Sequence, residues 1–258
     1  MVAGRVERAP SRGELSAHTA RRILRDVTER GLRVGESLGD ESWLIEHYDV
    51  SRGTLREALK LLSFLGAITV KSGPRGGPQL TTPGSAVVGS ALGMVVQFRG
   101  ATLHTVFQAR AAIEPAVAAL AASCRNETDL RVLDRQVDLL RAAQSTHGPV
   151  YAGHSERFNL LLAEASHNEV LATTVPAMAA MTAAVTWRYG PGMRPELTER
   201  IGRVVAAVRD SDPAAATAEH AAMFGWLIDE LLESQPARMQ ARILWPDVDE
   251  ILADQRYG

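Results

Sequence analysis

The chain has 258 residues, of which 46% are hydrophobic and 22% are charged, as is typical of a folded protein with room for two domains. No apolar run reaches the length of a transmembrane helix, and the N-terminal segment lacks the apolar core of a signal peptide. The only cysteine, Cys124, cannot form an intramolecular disulfide. These features exclude a membrane-spanning or disulfide-stabilised protein, so we expect a cytoplasmic location and no membrane partner.

The net charge of −2 is divided unevenly along the chain. Residues 1–82 carry 13 Lys and Arg against 10 Asp and Glu, a net charge of +3, whereas residues 83–258 carry 15 against 20, a net charge of −5. A basic part joined to a larger acidic part is typical of a small nucleic-acid-binding domain attached to a regulatory domain.

The first part of the chain predicts three helices followed by a β-hairpin. The helices are expected in "SAHTARRILRDVTERG", "DESWLIEHYD" and "VSRGTLREALKLLSFLG", with Asp40 and Ser51 as N-caps of the second and third. "AITVKSGPRGGPQL" then supplies a short strand, a Gly- and Pro-rich turn and a return strand. This order predicts a winged helix-turn-helix domain at residues 14–82, preceded by a disordered arm at residues 1–13.

The segments beyond residue 83 have helical periodicity, which predicts an antiparallel helical bundle and a mainly α fold. Turn-forming stretches such as "RNETD", "YGPGMRP" and "DSDP" separate the helices. The predicted helices span residues 84–98, 102–124, 127–145, 150–166, 169–189, 195–211, 213–234 and 246–256. We assign residues 83–100 to a linker and the first bundle helix, 101–235 to an effector-binding and dimerisation domain, and 236–258 to a helical tail.

One face of the third predicted helix is suited to reading DNA. Arg52, Arg56 and Lys60 follow one another at four-residue spacing, so the three cations lie along one side of the helix. Gly53 and Thr54 are small enough for the first turn to approach a major groove, where Arg can pair with guanine. A solvated basic helix face has the same spacing, so the helix alone does not decide between the two interpretations.

The segments next to that helix favour DNA binding. Ser51 and the free backbone N–H groups of the first turn can hold a phosphate. Lys71, Gly73 and Arg75 place positive charge at a glycine-rich hairpin tip, which can lie over the DNA backbone or enter the minor groove. A recognition helix and a basic wing together predict double-stranded DNA as a partner.

The stretch "LRVGESLGDESWLIEHYDVSRGTLREALKLLSFLGAITVKSGPRGG" resembles the GntR family of bacterial transcription regulators, above all in "VSRGTLREAL" and the glycine-rich wing. The resemblance implies DNA contacts from Ser51, Arg52, Thr54 and Arg56, and from Gly73 of the wing. These are the residues that the helix face and the hairpin also single out.

Two positions depart from the family pattern. The family usually has Pro at position 39 and Arg at position 42, where this chain has Gly39 and Ser42. Ser42 then stands where the family has a base or phosphate contact from the second helix. We therefore expect Ser42 at the DNA surface and an operator that differs from the family consensus.

The second part of the chain resembles the all-helical effector domain of the FadR branch of this family, in "VFQARAAIEPAVAALAA", "RFNLLLAEASHNEVL" and "AAVRDSDPAAATAEHAAM". Many members bind a divalent metal there through an Asp and three His. The matching positions in this chain are Ser155, Asn159, Ile201 and Met223, which are poor ligands for a transition metal. We therefore expect no metal and no cofactor, and a cavity in which these four residues line an organic ligand or water.

Histidines near these positions leave one alternative open. We interpret His154, His167 and His220 as surface or helix-end residues. A metal site of a different kind, built on His220 or His154, would require that histidine to face the bundle interior together with further ligands.

Two arginines are candidates for holding a ligand in the bundle. Arg110 and Arg188 are the cations expected to face its interior, and a buried Arg commonly anchors a carboxylate. Arg110 could equally form an ion pair with Glu114, one turn further along the same helix. With an apolar lining from nearby Met and aromatic residues, the expected effector is an organic acid or a fatty-acid-like, amphipathic molecule.

The sequence therefore predicts a ligand-responsive transcription repressor that binds a palindromic operator as a homodimer. Two alternatives remain. A DNA-binding dimer without an effector would use the bundle only for assembly. A metal-dependent enzyme would need at least three carboxylate or His ligands on facing helices, and no such set is evident in the sequence.

Overall fold

The structure, a computed structural model, describes residues 11–71, 76–146, 148–183, 189 and 192–245. The chain forms two compact units, Met1–Gly84 and Ser85–Gly258. Within the described ranges the first unit has three helices and a two-stranded sheet, and the second is helical. This architecture confirms the predicted fold class, a winged helix-turn-helix followed by a helical bundle.

The described elements of the first unit are α1 (Arg12–Glu29), α2 (Glu41–Tyr48), α3 (Arg52–Phe64), β1 (Ile68–Lys71) and β2 (Gly77–Leu80). The two strands are antiparallel, with Ile68 opposite Leu80, and an isolated bridge joins Ser37 to Gln79. The predicted hairpin is thereby confirmed, and its tip at residues 72–75 lies outside the described residues.

Side-chain caps explain where these helices begin. Ser11 and Glu14 form a capping box, in which the Ser11 hydroxyl accepts from the Glu14 N–H and the Glu14 carboxylate accepts from the Ser11 N–H. Asp40 and Ser51 cap α2 and α3, as predicted. Residues 12–13, predicted to belong to a disordered arm, are instead helical, because the capping box starts α1 earlier.

The three helices of the first unit meet in a small apolar core. Ile23 of α1, Leu44 of α2 and both Leu55 and Leu62 of α3 are almost completely buried, and Ile68 of β1 joins them. Burying an aliphatic side chain of this size stabilises the fold by roughly 1.5–3 kcal/mol. This core holds one face of α3 inside the unit and leaves the opposite face to solvent.

The described elements of the second unit are α4 (Ser85–Phe98), α5 (Leu103–Cys124), α6 (Glu127–Ala143), α7 (Gly148–Ala165), α8 (Glu169–Ala183), α9 (Met193–Arg209), α10 (Pro213–Ser234) and α11 (Pro236–Met239). The first seven begin within two residues of the predicted helix starts, because the breaks between helices carry clear turn signals. The helical tail predicted at residues 246–256 lies outside the described residues.

Helix α5 is central to the bundle. It packs against α7, α8, α9 and α10, whereas α4 packs on α8, and α6 lies against α7 and α9. The apolar core takes in Ile201 of α9 and Met223 of α10, which are 1% and 2% exposed. Among the described residues, no helix is both long enough and apolar enough to cross a membrane.

Candidate functional site

The N-terminal end of α3 is shaped by Ser51 and Thr54. The Ser51 hydroxyl accepts a hydrogen bond from the Thr54 N–H at 3.2 Å and lies 2.9 Å from the Thr54 hydroxyl. Ser51 is exposed, so it is placed to meet a phosphate, whereas Thr54 is only 3% exposed. The buried side chain of Thr54 supports the first turn of the helix from inside, and its direct contact with DNA stays a prediction.

Three cations lie on the solvent-facing side of α3. The side chains of Arg52, Arg56 and Lys60 are 67%, 61% and 74% exposed. The Nε atoms of Arg52 and Arg56 lie 3.7 and 3.0 Å from Glu41 Oε1 of α2, and Lys60 Nζ lies 3.0 Å from Glu57 Oε1. Exposed pairs of this kind are worth roughly 0–1 kcal/mol, so a phosphate or a base edge can replace these carboxylates.

Arg12, in the first turn of α1, lies beside Gly53. A Cβ atom at position 53 would be 2.5 Å from Arg12 Nη2, so the guanidinium occupies the space that a side chain there would take. Arg12 thus adds a fourth cation to this end of α3. The available sequence signal is "SRGE" at residues 11–14, a capping pattern that starts the helix at Arg12 and removes that residue from the predicted arm.

The departures from the family pattern have different surroundings. Gly39 adopts a φ of 120°, and a Cβ there would lie 2.6 Å from the indole ring four residues on. Proline, which fixes φ near −65°, does not fit this conformation. Ser42 is exposed on α2, as expected.

Of the predicted wing residues, Lys71 is exposed at the end of β1, and Gly73 and Arg75 lie outside the described residues.

A cavity of about 230 Å³ opens among α5, α7, α8 and α10. The predicted ligand-binding residues on its wall are Arg110, Ser155 and Asn159. Ile201 and Met223 are not among the described residues of that wall, because the apolar core encloses both. Arg188 lies outside the described residues. The structure thus brings together three of the six predicted side chains.

Arg110 lies at the centre of a buried charge cluster. Its Nε donates to Glu114 Oε1 at 2.6 Å, and its Nη1 donates to the Thr182 hydroxyl at 2.7 Å and to Glu156 Oε2 at 3.3 Å. Its Nη2 lies 3.0 Å from Glu156 Oε1. Arg110 and Glu114 are each 1% exposed. Of the two roles left open for Arg110, the structure has the ion pair with Glu114, extended by a second carboxylate.

Burial and charge shift the titration of this cluster. Although burial opposes the charged form, Glu114 and Glu156 raise the pKa of the Arg110 guanidinium. Burial raises the pKa of the Glu114 carboxyl, and the charge of Arg110 partly offsets that rise. Burial and the charge of Arg110 lower the pKa of His220 to about 3, so this imidazole is neutral at pH 7. The cluster therefore holds one cation beside two carboxyl groups.

The interpretation of His220 as a surface or helix-end residue is wrong. His220 is 0% exposed in α10, stacks on Phe224 with ring centroids 5.7 Å apart, and places its Nε2 3.8 Å from Glu114 Oε2. It is buried because α10 packs along α5 and position 220 faces the charge cluster. His167 does lie exposed just beyond the end of α7, and His154 is half-buried.

The side chains at the family's metal-binding positions do not suit a divalent transition metal. Ser155 and Asn159 offer a neutral hydroxyl and amide, Ile201 has no donor atom, and Met223 is a thioether in the apolar core. Within the described ranges, no three His, Cys, Asp or Glu side chains are grouped to hold a metal ion. The alternative site built on a histidine of α7 or α10 lacks a group of three ligands in those ranges, although Glu114 Oε2 lies 3.8 Å from His220 Nε2.

Two carboxylates that define these surfaces have no distinct signal in the sequence. Glu41 follows the N-cap of α2, where an acidic residue is ordinary, yet it pairs with both arginines of α3. Glu156 adjoins Ser155 in the stretch that resembles the family's metal motif, but its contact with Arg110 joins two helices. Only the folded arrangement identifies either residue as a partner of these cations.

Two family models match the chain. The model described as "Bacterial regulatory proteins, gntR family" matches residues 15–75, and the model described as "FCD domain" matches residues 105–224. The first match contains the exposed face of α3, and the second contains Arg110, Ser155 and Asn159.

Individual proteins show the same similarity. The chain is 26% identical over 206 residues to the "Uncharacterized HTH-type transcriptional regulator YcbG" of Bacillus subtilis (strain 168). The matched region covers 80% of this chain and 85% of that protein. It is 31% identical over 142 residues to the "HTH-type transcriptional regulator LutR" of the same organism, covering 54% of this chain and 63% of that protein. A solved structure, "Streptococcus agalactiae GntR", matches the fold with a TM-score of 0.68 at 23% identity, over 83% of this chain and 99% of that chain.

Proposed function

Because the chain belongs to the GntR family of bacterial regulatory proteins and carries an FCD domain, we propose that it is a transcription repressor controlled by a small organic effector. It binds a two-fold symmetric operator as a homodimer, and the effector occupies the cavity of the bundle. Its DNA partner places this activity in the bacterial cytoplasm. The relatives of the chain are transcription regulators and not enzymes.

DNA binding is supported above all by the exposed face of α3. Arg52, Arg56 and Lys60 line one side of the helix, and Ser51 caps its first turn with free backbone N–H groups beside it. In a major groove, Arg can pair with both acceptors of guanine, which contributes roughly 1–3 kcal/mol of discrimination. The cap can hold a phosphate and fix the position of the helix.

Residues around this face have supporting roles in the proposal. Gly53 leaves room for the Arg12 guanidinium beside the first turn, and Ser42 contacts the backbone from α2. Lys71, at the end of β1, starts the basic wing, whose Gly73 and Arg75 lie over the backbone or in the minor groove. Contacts to the DNA backbone do not depend on the base sequence, so the loss of one of them weakens binding to all DNA alike.

A homodimer is supported by the exposed surface of α4. Val88, Ala91, Val95 and Phe98 recur at spacings of three, four and three residues, so they form one apolar stripe. Phe98 is 84% exposed and Val95 49%. Stripes of this kind commonly mark interaction surfaces. A second copy of the chain would cover this stripe and provide the symmetry that a palindromic operator requires.

Selection of bound duplexes from a random pool by the full-length protein tests operator recognition. We expect an enriched inverted repeat, because two winged helices related by a two-fold axis read two equal half-sites. Light scattering should give the mass of a dimer, and Val95→Glu with Phe98→Glu should shift it towards the monomer. Absence of any enriched sequence would contradict DNA recognition, and an unchanged dimer in the double variant would contradict the α4 interface.

An amphipathic effector is supported by the mixed lining of the cavity. Arg110, Ser155 and Asn159 are polar, and Phe107 and Phe224 are apolar. The carboxylate anchor expected from Arg110 is less favourable than the sequence suggests, because its guanidinium nitrogens already have acceptors. Ile201 and Met223 would act from the core behind the wall, and Arg188 stays a proposed contact.

Thermal unfolding with a panel of small acids, alcohols and amines tests the effector site. A ligand at a hundred times its Kd adds about 2.7 kcal/mol to the free energy of unfolding, which a melting curve detects. The same ligand should change operator affinity in a gel shift, since coupling between two sites is reciprocal. Stabilisation without any change in operator affinity would favour the alternative, a DNA-binding dimer without an effector.

A further inference from the structure

Two acceptor atoms of residues on the cavity wall accept no hydrogen bond from the described part of the chain. Asn159 is 7% exposed, and its Oδ1 is buried without a hydrogen-bond partner among the described residues. Glu156 Oε1 is also buried; it forms an ion pair with Arg110 Nη2 at 3.0 Å but accepts no aligned hydrogen bond from the described residues. An unpaired buried acceptor destabilises a fold. Both residues line the same cavity, so a small rotation of each side chain would turn its buried acceptor towards donors carried by a ligand.

The charges around the cavity disfavour an anionic ligand. Arg110 is the one cation among the described wall residues, and Glu114, Glu156 and Thr182 engage its three nitrogens. The nearby His220 is neutral. An incoming carboxylate would have to displace Glu156 from Arg110 and would leave three carboxyl groups around one guanidinium. Such like-charge placement is a common means of rejecting a ligand.

We propose that the effector is a small organic cation, a protonated amine whose N–H groups donate to Glu156 Oε1 and Asn159 Oδ1 while its apolar body packs against Phe107, Phe224 and Leu227. This inference rests on the proposed function, in which the cavity is the effector site. It replaces the organic acid expected from the sequence with a ligand of the opposite charge.

The shape and lining of the cavity fit a compact amine. Its volume of about 230 Å³ is below the roughly 300–1,000 Å³ typical of sites for drug-sized ligands. The rings of Phe107 and Phe224 lie 5.9 Å apart and already interact with the Arg110 guanidinium, at 6.0 and 5.2 Å from their centroids, so they offer the ligand apolar contact. A divalent metal ion fits less well, because Mg²⁺ needs about six oxygen ligands in octahedral geometry and most of this wall is apolar.

Three probes of similar shape and different charge test the ligand class: phenethylamine, phenethyl alcohol and hydrocinnamate. Calorimetric titration of the full-length protein at neutral pH should show the amine binding at least about tenfold more tightly than the alcohol, because the hydrogen bonds are charge-assisted. Hydrocinnamate should be the weakest. Equal or tighter binding of hydrocinnamate, displacement of the amine by magnesium chloride, or no binding of any probe would overturn the proposal.

Variants on α7 locate the site. Glu156→Gln should weaken amine binding by roughly ten- to hundredfold, and Asn159→Leu should act in the same direction without touching the Arg110 cluster. Glu164→Gln, which removes the same charge from an exposed position of the same helix, should leave the affinity unchanged. Melting curves show whether each variant is folded. Unchanged amine affinity in both cavity variants would overturn the assigned contacts.

Operator binding, measured by gel shift on the same preparation, separates this inference from the proposed function. Tight binding of the acid together with intact operator binding would overturn the ligand class and leave the regulator in place. Failure to bind any selected operator would overturn the proposed function itself, whatever the probes do.

Discussion

One cluster of charged residues in each unit, the exposed set on α3 and the buried set around Arg110, places arginine in opposite environments. In the first unit, Arg52 and Arg56 are more than 60% exposed and share the exposed carboxylate of Glu41. In the second, Arg110 is 1% exposed and held by Glu114 and Glu156. An exposed pair can exchange its carboxylate for a phosphate at little cost, whereas breaking a buried pair leaves an uncompensated charge. The comparison therefore supports the proposed DNA contacts of the first set and the proposed role of the second as a fixed wall of the effector cavity.

The buried set should give the larger response to mutation. Arg110→Leu leaves Glu114 and Glu156 facing each other without a cation, so we expect the free energy of unfolding to fall by roughly 3–5 kcal/mol. Urea denaturation of the full-length protein measures this change. Arg141→Leu is the matched control, because its pair with Asp138 is exposed and worth at most about 1 kcal/mol. Equal losses in the two variants would remove the distinction between the two kinds of pair.

The pH dependence of stability sharpens the same contrast. The pKa of His220 is lowered to about 3 by burial and by Arg110, so below the ordinary value near 6.5 the unfolded chain binds a proton that the folded chain does not. The contribution of His220 to the free energy of unfolding is therefore complete above that value. It is lost as the pH falls towards 3, with a slope of up to about 1.4 kcal/mol per pH unit. Glu114, whose pKa is raised, acts in the opposite direction on acidification.

Replacing the histidine separates the two contributions. His220→Leu removes a side chain whose ring nitrogens both lack hydrogen-bond partners among the described residues, so the substitution itself should cost little. Urea denaturation between about pH 4 and pH 7 should show a flatter acid limb than in the unsubstituted chain. Parallel curves for the two proteins would show that His220 is not the group that titrates.

The exposed set should give the smaller response. Glu41→Gln frees Arg52 and Arg56 for phosphate and removes one negative charge from the DNA-facing side, so operator affinity should rise by roughly fivefold at low salt and less at high salt. Fluorescence anisotropy across a salt series measures it. Glu46→Gln makes the same charge change elsewhere on α2, at an exposed position, and should have less effect. If the two variants gained operator affinity equally, the gain would come from the change in net charge and not from freeing Arg52 and Arg56.

The exposed set could be predicted because its placement depends on one helix. Four-residue spacing, the Ser51 cap and the following hairpin fix which side of α3 faces solvent, and local sequence carries all three signals. The burial of Thr54 could not be predicted, because a side chain on the first turn can point either outwards or inwards to the cap. The position of Arg12 could not be predicted either, since its approach to Gly53 depends on how α1 packs on α3.

The buried set could be predicted only in part. The pair of Arg110 with Glu114 lies within one helix and follows from spacing. Glu156 reaches the same guanidinium from α7, and the burial of His220 depends on the packing of α10 along α5. Neither contact leaves a periodic trace in the sequence. A resemblance to metal-binding relatives identified Ser155 and Asn159 correctly as neighbours of the cavity, but it could not show which charges surround them.

The most direct test of DNA reading by the exposed face of α3 is the operator affinity of Arg52→Ala, measured by fluorescence anisotropy on the inverted repeat recovered by selection. The predicted loss is about 1–3 kcal/mol, or roughly five- to 150-fold in Kd, with relaxed specificity at one position in each half-site. Arg141→Ala, an exposed arginine of the bundle, should leave the Kd unchanged. An unaltered Kd in Arg52→Ala would contradict the assignment of α3 as the recognition helix.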